Sequence, residues 1–355
     1  MIVEKGKLKN ALNKISVFVD REVNGVGSKV LFAAKDGVVS LIAGDGSNVG
    51  VFKFKVADNS ELAFVIEHKQ LMAAAGLRGD ITLEYKEGVL KIVQGDTTMI
   101  FAASDGDTFA FEEKNIEDGG CIKLNSTKFK KLISKVSYAR KEKDSRPFVT
   151  GVNLSFDGTN LKAESTDALR FLRDFTAVEG FGDVNFSGVL SPKCIKAIES
   201  MDDDVEVSIL MNENAVGFVS EDMKIYLPKL NCPYPDASRF FVFDAAATFV
   251  LDKAKVLESM EILALSENKA LLCKKVEGKM LFSMEDGVSD VKDKIEIESS
   301  EGADFEFCLD FEIFRDIFRN LKDSSKVTFS WKDPLSTVLF KDEENLEGVV
   351  MPLKK

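Results

Sequence analysis

Apolar residues return at helical spacing three times along the chain, each time just after a short β-like stretch. In residues 2–18, Leu8, Leu12 and Ile15 stand at i, i+4 and i+7; in residues 122–138 the three are Phe129, Ile133 and Val136; in residues 249–265 they are Val256, Met260 and Leu263. That spacing sets three side chains on one helical face. The offsets between copies are 121 and 127 residues. A second helix-like stretch follows in each third, at residues 67–77, 191–201 and 311–321. An alternating run comes next, at residues 81–85, 205–209 and 327–331, and predicts a half-buried strand. Turn signals keep the same order. Asp36-Gly37, Asp157-Gly158 and Glu277-Gly278 each lead, nine or ten residues on, to Asp45, Asp167 and Asp286. So many coincidences in one order predict three copies of one α+β unit of about 120 residues, each with two helices packed on antiparallel sheets. The joins are expected in the small or polar stretches 118–120 and 244–247, giving domains 1–118, 119–245 and 246–355.

Composition removes several classes of chemistry. With 355 residues and 45% apolar content, each third can bury a core. No apolar run approaches the roughly 18 residues of a membrane span, and the first residues lack a basic start followed by an apolar stretch, so a cytoplasmic protein with no membrane partner is expected. The five cysteines (Cys121, Cys194, Cys232, Cys273, Cys308) are scattered, with no CxxC pair, and suggest reduced thiols rather than disulfides or zinc. His68 is the one histidine. Acidic runs at Asp202-Asp203-Asp204, Glu285-Asp286 and Asp342-Glu343-Glu344 adjoin expected turns, where carboxylates ordinarily face water rather than hold Mg²⁺ or move protons. Neither GxxxxGK[ST] nor a helix-opening GxGxxG occurs. No catalytic residue, metal or cofactor is expected.

The net charge is −12, but binding an anion needs only a local basic surface. The helices supply one. Opposite the apolar face of the second copy lie Lys128, Lys131 and Lys135; the first copy has Lys7, Asn10 and Lys14; the helix at 311–321 aligns Arg315 and Arg319 with Lys322 just beyond it. The third copy departs from the pattern with Lys255, Glu258 and Ile262. Repeats that close into a ring can aim such faces at one hole, where duplex DNA is the natural occupant, held by its phosphates without sequence readout.

Local sequence then supplies a resemblance. Arg146-Pro147-Phe148-Val149-Thr150-Gly151-Val152, followed by Ser165-Thr166-Asp167-Ala168-Leu169-Arg170-Phe171, resembles the middle domain of the β subunits of bacterial DNA polymerase III, the sliding-clamp family. Tyr234-Pro235-Asp236 with Arg239 is similar to that family's segment leading into its third domain, and Val349-Val350-Met351-Pro352-Leu353 to its closing motif. The resemblance implies a head-to-tail homodimer that encircles DNA, with twelve helices lining the hole. It implies a hydrophobic cleft for linear motifs of polymerase subunits, the clamp loader and repair proteins. By motif match the cleft uses Val149, Thr166, Ala168, Leu169, Arg170 and Phe171, joined by Pro235, Arg239 and Phe240 and closed by Leu335, Val350, Met351, Pro352 and Leu353. It places the dimer seam at a strand holding Met99 and Phe101, against a helix end at Ala264 and Leu265. The family often carries Gly-His where this chain has Ala168-Leu169, and an aromatic or proline where it has Ala237-Ser238, so a more apolar rim and a changed peptide preference are expected. Val149 and Phe171 read equally as strand core, the C-terminal stretch as a plain edge strand, and residues 98–103 as ordinary interior. The runner-up is a three-repeat peptide-binding scaffold that does not bind DNA.

Overall fold

A computed structural model describes residues 1–20, 28–110, 116, 119–178, 184–242, 244–285 and 287–354. Asp118, at the first expected join, and Asp286, the third recurring turn aspartate, lie outside these residues. The helices are α1 (Lys5–Ile15), α2 (His68–Ala74), α3 (Ser126–Ser137), α4 (Pro147–Thr150), α5 (Pro192–Glu199), α6 (Lys253–Leu263) and α7 (Phe311–Asn320).

The triplicated pattern is realised in hydrogen bonding. The strand before the first helix of each copy pairs antiparallel with the strand after the second helix: Ile2–Val3 with Ile81–Lys86, Gly120–Asn125 with Glu206–Met211, and Ala247–Asp252 with Lys326–Trp331. The residues picked out by spacing are the buried ones: Leu8, Leu12 and Ile15 on α1, Phe129, Ile133 and Val136 on α3, Val256, Met260 and Leu263 on α6. Side-chain caps mark later helix starts. Asp252 accepts from Lys255 N at 3.0 Å, Asp310 from Ile313 N at 3.1 Å, and Ser191 from Cys194 N at 3.3 Å ahead of Pro192.

The chain folds as two compact units, Met1–Lys130 with Val178–Asn231, and Lys131–Ala177 with Cys232–Lys355. In the first unit, a four-stranded sheet runs Ile2–Val3, Ile81–Lys86, Val89–Gln94, Thr97–Ala102, and a nine-stranded sheet extends from Gly120–Asn125 at one edge to Ser104–Asp105 at the other. Phe32 stacks on Phe64 at 4.9 Å, and Phe129 meets Phe218 at 5.7 Å. In the second unit, one sheet carries in order Val152–Phe156, Asn160–Thr166, Arg170–Ala177, Glu347–Val350, Val338–Lys341, Lys326–Trp331, Ala247–Asp252 and Ser299–Gly302. Its core is phenylalanine: Phe249 stacks on Phe305 at 4.2 Å and on Phe329 at 5.3 Å, and Phe314 meets Phe318 at 5.2 Å.

The recurring turn residues have a common mechanism. Asp45 Oδ1 accepts from Ser47 N and Asn48 N, and Asp167 Oδ1 accepts from Leu169 N and Arg170 N, the same two- and three-residue reach. Asp36-Gly37 and Glu277-Gly278 both hold positive φ at two successive residues, the geometry of a tight hairpin. His68 is a core residue: its Nε2 lies 3.0 Å from Leu12 O. Cys194, Cys273 and Cys308 are buried free thiols, Cys121 and Cys232 half-buried ones. No group of His, Cys, Asp and Glu among the described residues is arranged to hold a metal ion.

Candidate functional site

The strands Asn160–Thr166 and Arg170–Ala177 are joined by a turn held by side-chain to backbone hydrogen bonds. Thr166 Oγ1 accepts from Ala168 N at 3.0 Å and donates to Arg170 O at 2.6 Å. Asp167 Oδ1 accepts from the Leu169 and Arg170 amides, both at 2.9 Å. Ala168 sits at φ +74°, the left-handed region that alanine adopts at a cost of about 1–2 kcal/mol. The turn thereby pushes Leu169 outward, 47% exposed, while Arg170 beside it is only 7% exposed. Arg170 is bound on three sides: Nε is 3.0 Å from Asp167 Oδ2, Nη2 donates to Tyr138 O at 3.1 Å, and Nη1 and Nη2 are both 3.4 Å from Asp316 Oδ2. Its plane also lies 5.1 Å over the Tyr138 ring. Arg170 is therefore the anchor of the turn rather than a free donor.

Beside the turn is an aromatic floor. Phe171, Ala237, Leu339 and Val349 form a buried cluster with Tyr234, Phe240 and Phe241 packed against it. The Phe171 ring is 5.9 Å from Tyr234 and 6.0 Å from Phe241, both edge-on. Arg173 lies 3.7 Å over Phe241 and is held there by Glu347, to which its Nε donates at 2.8 Å. The C-terminal strand supplies the opposite wall: Val350 pairs with Arg170, Met351 N donates to Leu169 O at 2.8 Å, and Leu353 N donates to Cys308 O at 2.8 Å. Exposed apolar side chains stand over this floor or near it in sequence: Leu169, Met351 and Val242, the last 81% exposed.

The structure thus gathers Thr166, Ala168, Leu169, Arg170, Phe171, Phe240, Val350 and Met351. Val149 is wholly buried in α4, a helical turn opened by Pro147, and not in a strand. Pro235 and Arg239 are exposed, with the Arg239 guanidinium 4.7 Å over Phe240; Pro352 and Leu353 are half-buried. Leu335 is exposed in a loop fixed by Asp333 and is not part of the buried cluster. Sequence reasoning missed Arg173, Tyr234, Phe241 and Val349 at the floor, and Phe148, whose ring meets Tyr234 edge-on at 6.2 Å. Tyr234, Phe148 and Val349 stood inside the quoted motifs, and the Phe240-Phe241 pair was a visible signal.

The cationic stripes divide. Lys128 and Arg319 are exposed with no acidic partner among the described residues, and Lys322 is exposed with Nζ 3.2 Å from Ser134 Oγ. Lys7 pairs with Glu4 at 2.6 Å, Lys14 with Asp202, Arg315 with Glu312, and Lys131 with Asp323 and Glu344 at 2.8 and 2.9 Å. Lys135 corrects the expectation. It is 3% exposed, surrounded by Glu344 at 2.5 Å, Asp342 at 3.4 Å and Asp174 at 3.7 Å, and is closed to any phosphate. Burial alone would lower its ammonium, but Glu344 and the charges of Asp174 and Asp342 outweigh it and raise it. Burial pushes the Asp174 carboxyl up to about 6 against the pull of Lys135. Hydrogen bonds from Lys135 and Lys131 hold Glu344 below its ordinary value.

At the expected seam, Thr97–Ala102 is, among the described residues, an edge strand paired with Val89–Gln94, with Ile100 66% exposed and Met99 and Phe101 half-buried. The end of α6 exposes Ile262, Ala264 and Leu265, the last 79% exposed.

The fold is that of the clamp class of α+β proteins. It superposes on a crystal structure of the DNA polymerase III β subunit from Pseudomonas aeruginosa with a TM-score of 0.90, at 17% identity and 100% coverage of both chains. A P. aeruginosa sliding clamp bound to griselimycin gives 0.92, at 18% identity, with 100% of this chain and 99% of that one covered. Residues 123–236 match the family model described as DNA polymerase III beta subunit, central domain. The beta sliding clamp of Streptococcus pneumoniae is 24% identical over 294 residues, 78% of this chain and 76% of the relative. Residues 123–236 are thus similar to the central domain of DNA polymerase III β subunits, and the curated relative over most of the chain is a beta sliding clamp.

Proposed function

We infer that the protein is a sliding clamp: it encircles duplex DNA without reading sequence and tethers the replicative polymerase, the clamp loader and repair proteins by their linear motifs. The role is that of a non-catalytic processivity factor acting in the cytoplasm. The reading includes three clamp domains, 1–118, 119–245 and 246–355, and a head-to-tail homodimer closed between the Thr97–Ala102 edge and the end of α6.

One observation carries it. An apolar rim, Leu169 and Met351, stands exposed over a floor of edge-packed aromatic rings, with a hydrogen-bonded backbone fixing both walls. Such a site takes two or three apolar anchors of an extended peptide, each contributing about 25 cal/mol per Å² buried. Exposed Lys128, Arg319 and Lys322 supply the phosphate contacts. Polar and cationic groups elsewhere in the cleft region, Arg239 and the backbone, orient the peptide rather than drive its burial.

Griselimycin, to which the P. aeruginosa sliding clamp is bound in its crystal structure, is the probe. Calorimetric titration should give one site per chain on the full-length protein. Deleting residues 351–355 removes one wall and should abolish the heat while leaving the protein's mass in solution unchanged. Undiminished binding by the truncated chain would put the site elsewhere.

A further inference from the structure

The cleft rim is held from outside the cleft. Asp167 and Arg170 are both buried, and each depends on the other's charge. Asp167 in turn receives the Leu169 and Arg170 amides, which set the outward pose of Leu169. The guanidinium has more N–H groups than Asp167 can accept. The remainder point at Tyr138 O, one residue beyond α3, and at Asp316 on α7. Asp316 is 37% exposed in its side chain, and among the described residues it meets the rim through Arg170. One turn before it Glu312 pairs with Arg315, and three residues beyond it stands Arg319.

We propose that Asp316 is a positioning residue for the peptide cleft: it fixes Arg170, and through Arg170 and Asp167 the backbone of the Ala168–Leu169 rim. Part of this proposal rests on the cleft reading above, and part does not. Without the Asp316 carboxylate, the guanidinium is free to swing away from Tyr138 O and to loosen its hold on Asp167. The left-handed Ala168 then has less to keep it there. The same helix presents Arg319 to solvent.

The test uses the full chain with Asp316→Asn, Asp316→Glu as the rescue, and Glu312→Gln as a control on the same helix. The first readout is hydrogen exchange at the Leu169 and Arg170 amides. Asp316→Asn should speed both about tenfold, Asp316→Glu should restore them, and Glu312→Gln should leave them unchanged, with the thermal midpoint of all three close to the parent's. The second is griselimycin affinity, which should weaken three- to tenfold in Asp316→Asn alone. Parental amide protection in Asp316→Asn overturns the proposal. A parent protein that ignores griselimycin, while its rim amides still respond to Asp316→Asn, would sink the cleft reading and leave the positioning role standing. A fall in thermal midpoint with no selective change at the two amides would mean that Asp316 serves general stability, and would also overturn the proposal.

Discussion

Asp174 and Lys135 show how far a single residue's environment can depart from its place in a pattern. Lys135 falls on the spacing of a solvent-facing stripe, yet it is enclosed by carboxylates from positions 174, 342 and 344. Those partners lie up to 209 residues away, so nothing in the local sequence announces them. Ala168 is the opposite case. The family that this segment resembles often has glycine at that step, and the left-handed φ of +74° is the conformation glycine adopts most readily. The Asp174 carboxyl has a consequence for pH. Its folded value, about 6, lies above the ordinary 3.8, so the folded state holds the proton more tightly. The stability it contributes is complete below about pH 4 and is lost as pH rises through about 6. Asp174→Asn, which imitates the protonated form, should therefore gain stability relative to the parent as pH rises from 4 to 7, by on the order of 2 kcal/mol. Urea unfolding across that range measures it; parallel curves for the two proteins would refute it. Glu344 works in the other direction, its contribution being lost on acidification, and Asp174→Asn leaves that limb in place.

At the scale of elements, most of the architecture was legible. The 3.6-residue spacing of Leu8, Phe129 and Val256 with their followers marks α1, α3 and α6, because burial of one helical face is a local property of sequence. The alternating runs became strands for the same reason. What could not be read was which strand pairs with which, and the short α4, where Pro147 opens a helical turn around Val149. Residues 98–103 read equally as interior or as edge, since both are apolar; the structure makes Thr97–Ala102 an edge with Ile100 outward. An open apolar edge invites pairing with another chain. With Leu265 similarly bare just beyond α6, both are expected to be covered in a homodimer of the 39.2 kDa chain. Sedimentation equilibrium at micromolar concentration should give twice the chain mass for the parent and a largely monomeric species for Ile100→Lys combined with Leu265→Lys. A parent that sediments as a monomer refutes the seam.

For the whole molecule, the net charge of −12 hides how few cations are available. Of the eight basic residues expected to face DNA, Lys135 is buried and Lys7, Lys14, Lys131 and Arg315 have carboxylate partners, which leaves Lys128, Arg319 and Lys322 as the freest. Binding to duplex DNA should accordingly be weak, with ring topology rather than affinity providing retention. Each phosphate contact removed should lower the salt-dependence slope by about 0.9. Changing Lys128, Arg319 and Lys322 to Gln should flatten the plot of log affinity against log salt and shorten retention on circular duplexes. A slope equal to the parent's would mean that other residues meet the phosphates, and no retention by the parent would favour the peptide scaffold.

The phenylalanine core of the second unit has one further neighbour, Trp331, whose ring lies 6.3 Å from Phe305. It is the chain's single tryptophan. Light absorbed selectively by indole is therefore emitted from one half of the molecule alone, and the other half melts unseen by that signal. Comparing the emission with far-ultraviolet dichroism, which sees every helix and strand, separates the two halves without any label.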